Sequence, residues 1–246
     1  MNSESGKPGL EKQAFRRLTF WSVLGGLCPL IPVPFMDDWM LERVQRRMIQ
    51  EIDREERIGL SAEDMKVLAG DEDPRWSGCV GTVAWAIREV VGAILGKLFR
   101  TVFYFLTIRR SVRRSAETLH LGYLVLHAAR LGEKRAPVVR AAVLATIREM
   151  NARPIHRTLT RDFRQSLSLL LQGAALLGRL VPRRRGKAAK AKELPGAEEA
   201  FRKEDELLGG LVDRIAADLW GNRAYFAELE RVFEGKLKQS AIESPP

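Results

Sequence analysis

Apolar residues recur at helical spacing along most of this chain, and that periodicity constrains its fold more than any other feature. In residues 37–52, Met40, Val44, Met48 and Ile52 follow one another at intervals of four, with Leu41 and Ile49 beside them. Arg43, Arg46, Arg47, Gln50 and Glu51 fill the opposite side. One dry and one wet face at this period make an amphipathic helix whose methionine stripe belongs in a core. The spacing returns at Leu119, Tyr123 and Leu126, at Val139, Val143 and Ile147, and at Leu208, Val212, Ile215, Leu219, Phe226, Leu229 and Phe233. The expectation is an all-α protein: an amphipathic helical bundle with apolar interfacial or re-entrant helices and a C-terminal helical hairpin. A chain of 246 residues can bury such a core without disulfides or metals.

Two stretches are more apolar than a surface helix needs. Residues 18–35, LTFWSVLGGLCPLIPVPF, carry no charge, but Pro29, Pro32 and Pro34 break the second half. A membrane span must satisfy every backbone amide internally, so this run reads as a short helix followed by an extended wedge. The wedge either packs on the protein or dips into one leaflet, with Trp21 as a lipid contact. Residues 78–108, GCVGTVAWAIREVVGAILGKLFRTVFYFLTI, are interrupted by Arg88, Glu89, Lys97 and Arg100. A Lys, Arg or Asp at the bilayer centre costs roughly 2.5 to 3.5 kcal/mol, which disfavours a plain span. An interfacial helix, a re-entrant hairpin and a buried core helix all remain open. Gly92 and Gly96 form a small-residue pair through which a second copy of the chain could pack as a homo-oligomer.

Charge is segregated. Residues 74–192 hold 24 Lys and Arg against 5 Asp and Glu, whereas the chain as a whole has a net charge of +10. The centre is therefore strongly basic between acidic flanks, an asymmetry that points to a polyanionic partner. Within it RRSVRR places Arg109, Arg110, Arg113 and Arg114 directly after Phe103, Tyr104 and Phe105. An apolar helix, an aromatic belt and a basic flank in that order suit a cytoplasmic membrane interface. Four arginines in six residues also repel one another unless an anion neutralises them.

Composition divides the chain into a flexible tail at 1–17, a helical, basic, membrane-associating domain at 18–181, a basic flexible linker at 182–196 and a C-terminal helical hairpin at 197–240. Asp37 is placed to cap the helix after Pro34, and Ser61 with Asp64 reads as a capping box opening a short helix that ends at Gly70. Pro137 suits a helix start, and residues 160–181 read as one further helix. The polar beginning of the chain does not resemble a secretory signal, and Cys28 and Cys79, each in an apolar setting, fit plain thiols in a reducing compartment.

Motifs that carry chemistry are missing from the sequence: no phosphate loop, GxGxxG, GxSxG elbow or HExxH pair occurs. His120 and His127 share one helical face but lie too far apart to hold a metal alone, and His156 stands apart from both. No catalytic residue, cofactor or metal is expected, and the chain reads as a non-enzyme.

The segment Ile31, Pro32, Val33, Pro34, then Asp37, then a helix bearing Gln45, Met48, Ile49 and Ile52, then Ile58, Gly59, Leu60 and Ser61 resembles the opening of the YcjF-type domain of unknown function. That resemblance implies a membrane-associated helical module of the kind found beside GTPase domains in bacteria. The combined expectation is a protein on the inner, cytoplasmic face of the cell membrane, contacting anionic phospholipid through Trp21, Arg88, Lys97, Arg100, Arg109, Arg110, Arg113 and Arg114, with Pro32, Pro34 and Asp37 as a structural motif. A soluble scaffold that meets a protein partner through the C-terminal hairpin is the alternative. Nucleic acid is a third and disfavoured partner, because aromatic residues are not interleaved with the basic clusters.

Overall fold

The computed structural model describes residues 11–31, 37–70, 98–179 and 197–243, with the backbone alone for 98–106, 179, 197–205 and 243. Among them every regular element is helical: α1 (Lys12–Leu27), a short 3-10 turn (Cys28–Leu30), α2 (Asp37–Glu56), α3 (Ala62–Ala69), α4 (Leu98–Arg130), α5 (Ala136–Glu149), α6 (Arg153–Gln165), α7 (Leu167–Arg179), α8 (Ala197–Trp220) and α9 (Arg223–Glu243). The all-α expectation holds.

The centre of the molecule is α1. From Ala14 to Cys28 every residue except Arg16 and Arg17 is buried, as a helix that is apolar on all sides requires. The uncharged run is therefore largely core through Ile31, while Pro32 and Pro34 lie outside the described residues. The helix also starts at Lys12, so the expected tail is helical from there: Arg16 pairs with Asp213 and Arg17 with Glu55.

Helix α1 packs most extensively on α4, whose residues 118–126 are likewise all buried. Small residues let the two helices approach. A side chain on Gly25 would meet Thr118 at 2.5 Å, and one on Gly26 would meet the Phe163 ring at 2.8 Å and Ser115 at 3.0 Å. Gly122 makes room for the Met48 sulfur and Leu18 in the same way. At this seam the Ser22 hydroxyl lies 2.8 Å from that of Ser115 and 2.9 Å from its carbonyl oxygen. The stripe Ser115, Thr118 and Gly122 on α4 is thus the second half of the central contact.

The other helices shield this pair. Met40, Leu41, Val44, Met48, Ile49 and Ile52 of α2 are all buried against α1 and α4, as their spacing predicts. The Ser61 hydroxyl accepts from the Asp64 amide at 3.1 Å while Asp64 accepts from the Ser61 amide at 3.0 Å, completing the expected capping box of α3. Gly70, with φ of 80°, ends that helix in the left-handed region. Pro137 opens α5 within its first two positions. The single helix expected over 160–181 is instead two, α6 and α7, meeting at Ser166, whose backbone departs from helical geometry.

Leu208, Val212, Ile215, Leu219, Phe226, Leu229 and Phe233 all face inward, as expected. Their helices follow one another but touch each other little. Helix α8 lies on α1, α6 and α7, whereas α9 lies on α5 and on α4. Edge-on contacts of Phe15 with Trp220 and Phe226, each with ring centroids 5.2 Å apart, tie both helices to α1. Burying rings of this size contributes on the order of 2 kcal/mol each, so the C-terminal segment belongs to the same core.

Candidate anion-binding surface

RRSVRR does not flank a helix; it lies within α4, and acids from two elements reach its arginines. Arg110 bonds Asp37 at 2.9 Å, Arg114 bonds Asp38 at 2.5 Å and Glu117 at 3.2 Å, and Arg113 bonds Glu117 at 2.8 Å. Asp37 is the first residue of α2. It and Asp38 serve the helix dipole and the arginines together. The repulsion expected in this cluster is relieved inside the molecule. Arg109 is the exception, being exposed and without an ion pair among the described residues.

Of the other expected lipid contacts, Trp21 is buried, with its indole nitrogen donating to Glu51 at 2.7 Å. It is a core residue with a satisfied polar edge, which corrects its assignment to a lipid surface. Arg88 and Lys97, together with Gly92, Gly96, Cys79 and the linker at 182–196, lie outside the described residues. Arg100 sits in the first turn of α4, where only the backbone is described. Cys28 is buried, and burial pushes its thiol pKa up, so it is an inert core residue.

The exposed basic face is on α6. Ile155, Leu159 and Phe163 point into the core, which turns Arg153, Arg157, Arg161 and Arg164 outward. These four lie about one turn apart and span about 16 Å. With His156, Thr160 and Gln165 they line an open concavity of about 550 Å³. Arg161 is committed to Asp162 and Asp218. Arg153 and Arg157 are exposed and make no ion pair among the described residues. The Thr160 hydroxyl donates to the His156 carbonyl at 2.6 Å. His156 is half-buried, and its pKa is lowered first by burial and further by Arg113 of α4, against the pull of Glu117. The α6 face therefore adjoins the exposed side of α4 that carries Arg113.

The stripe is visible in the sequence, where Arg153, Arg157, Arg161 and Arg164 recur at helical spacing opposite Ile155, Leu159 and Phe163. A helix expected to start at residue 160 divides that pattern, whereas α6 starts at Arg153.

The remaining histidines are structural. His120 is buried, and its Nδ1 lies 2.6 Å from the Ala116 carbonyl oxygen, which can only accept. Nδ1 therefore carries the proton and Nε2 accepts from the Tyr225 hydroxyl at 2.5 Å. Burial lowers the His120 pKa to about 4, opposed by the Ala116 bond. Tyr123 donates to Glu230 at 2.6 Å and His127 lies 3.2 Å from Glu234, so this face of α4 is a polar seam against α9. Among the described residues no group of three or more His, Cys, Asp or Glu could hold a metal ion, and no helix is long and apolar enough to cross a membrane.

Comparison with known proteins returns no matching family model, no matching curated protein and no matching solved structure.

Proposed function

We propose that the protein is a non-enzymatic helical module that associates with the anionic, cytoplasmic face of a membrane. One observation carries this reading: Arg153 and Arg157 on α6, and Arg109 on α4, point outward with no ion pair among the described residues, while their neighbours Arg110, Arg114 and Arg161 are held by carboxylates. Each Lys or Arg close to an anionic leaflet contributes about 1 kcal/mol. Three such residues give weak, reversible attachment, and stable attachment takes a second signal. Residues 78–108, apolar in composition, supply the candidate for it. The local resemblance of residues 28–61 to a membrane-associated domain points the same way.

A soluble scaffold is the second reading. The burial of residues 18–28 favours it, because the run most suggestive of a lipid wedge is consumed by the core. Fractionation of cells expressing the tagged protein separates the two. Retention in the membrane pellet until high salt or alkaline carbonate is expected for the membrane reading. Recovery in the first, low-salt soluble fraction would sink it and leave the scaffold.

A further inference from the structure

The α6 face is more than diffuse positive charge, because its arginines edge a concavity and differ in how far they are already used. Arg153 and Arg157 stand one turn apart with no ion pair among the described residues, so both guanidiniums can turn to one anion. Each is a planar fork that bonds phosphate through two parallel N–H groups. His156, between them in sequence and half-buried, lines the same wall. Arg161, held by Asp162 and Asp218, closes the far side without contributing full charge. The Asp162 carboxylate is buried beneath the wall and so does not face an incoming anion.

We propose that this concavity binds a phosphomonoester, with Arg153 and Arg157 as its two principal ligands. A phosphodiester presents one negative charge and two terminal oxygens. A monoester presents close to two charges and three terminal oxygens near neutral pH, which matches two uncommitted guanidiniums and the donors beside them. The concavity is open to solvent, and its volume of about 550 Å³ exceeds what a phosphate group fills, leaving room for the group the phosphate is attached to. In the setting of the proposed function, on which this inference rests, the ligand is a lipid whose headgroup ends in a phosphomonoester, and a soluble phosphate ester has the same chemistry.

The test uses the full chain. Flotation is measured with phosphatidylcholine vesicles that carry either phosphatidic acid or, at equal surface charge, phosphatidylglycerol, and glycerol phosphate is titrated in solution by calorimetry. The expected result is about tenfold tighter binding to the phosphatidic acid vesicles, one extra charge-assisted bond being sufficient. The Arg153→Lys, Arg157→Lys double variant keeps the charge but loses the forks, so it should lose that preference while still binding phosphatidylglycerol. Arg231→Gln, an exposed change on α9, should leave the preference intact. Equal binding to both vesicles would overturn the phosphomonoester site and leave the membrane reading standing. Binding of glycerol phosphate with no vesicle binding would uphold the site and sink the membrane reading, and binding to none of the three would sink both.

Discussion

Two short segments of this protein each carry four arginines, and the structure treats them in opposite ways. In α4, Arg110, Arg113 and Arg114 are met by Asp37, Asp38 and Glu117, so the densest cationic run in that helix is largely neutralised by the chain itself. In α6, the arginines are spread along the helix and look sparse as a string, yet Arg153 and Arg157 reach solvent without an ion pair among the described residues. Local charge density is therefore a poor guide to available charge. What decides is which acids the fold brings alongside, and here Asp37 and Asp38 come from 73 and 76 residues upstream of the arginines they meet.

That contrast can be broken or sharpened by experiment. The largest effect expected is on stability, and it sets the conditions for the rest. His120 is held neutral in the folded state with a pKa of about 4, against about 6.5 in an unfolded chain. Above pH 6.5 neither state binds the proton and the stability is intact. As pH falls from about 6.5 to about 4 the unfolded state takes up the proton first, so stability is lost through that window, by about 3 kcal/mol. Chemical denaturation at pH 7 and pH 4.5 measures this, and a His120→Gln variant should flatten the slope. Comparisons of the two arginine segments made in acid would confuse unfolding with binding.

At neutral pH, replacing Arg153 and Arg157 by Gln should weaken binding to anionic vesicles by about 2 kcal/mol, roughly thirtyfold, with helicity by circular dichroism unchanged. A smaller effect of opposite sign is expected for Asp37→Asn with Asp38→Asn. Freeing Arg110, and leaving Arg114 with Glu117 alone, should tighten vesicle binding by up to about 1 kcal/mol. The same change should cost about 1 kcal/mol of stability per residue, ion pair and helix-dipole contribution together, read by denaturant titration. Smallest of all, Arg110→Gln with Arg114→Gln should change vesicle affinity less than about threefold, because those charges are already answered by carboxylates.

Much of the fold is legible in the order of residues. Period-3.6 stripes place Met48, Val143, Val212 and Phe233 in the core because helical periodicity and burial are local properties. Capping at Ser61 and the start at Pro137 are equally local. The fate of residues 18–31 was not legible, since an all-apolar helix is compatible with lipid or with a protein core, and only the small-residue seam of Gly25, Gly26, Ser115 and Gly122 decides for the core. Neither was the neutralisation of RRSVRR, which depends on the first turn of α2 lying beside α4. The α6 stripe is legible in its spacing once the helix is taken to start at Arg153 rather than at residue 160.

The most direct test of the account is a vesicle titration of three proteins side by side at neutral pH: the unaltered chain, the Arg153→Gln, Arg157→Gln variant and the Arg110→Gln, Arg114→Gln variant. The account predicts that the unaltered chain binds anionic but not neutral vesicles, that the α6 variant loses most of that binding and that the α4 variant retains it. Loss in the α4 variant with retention in the α6 variant would contradict it.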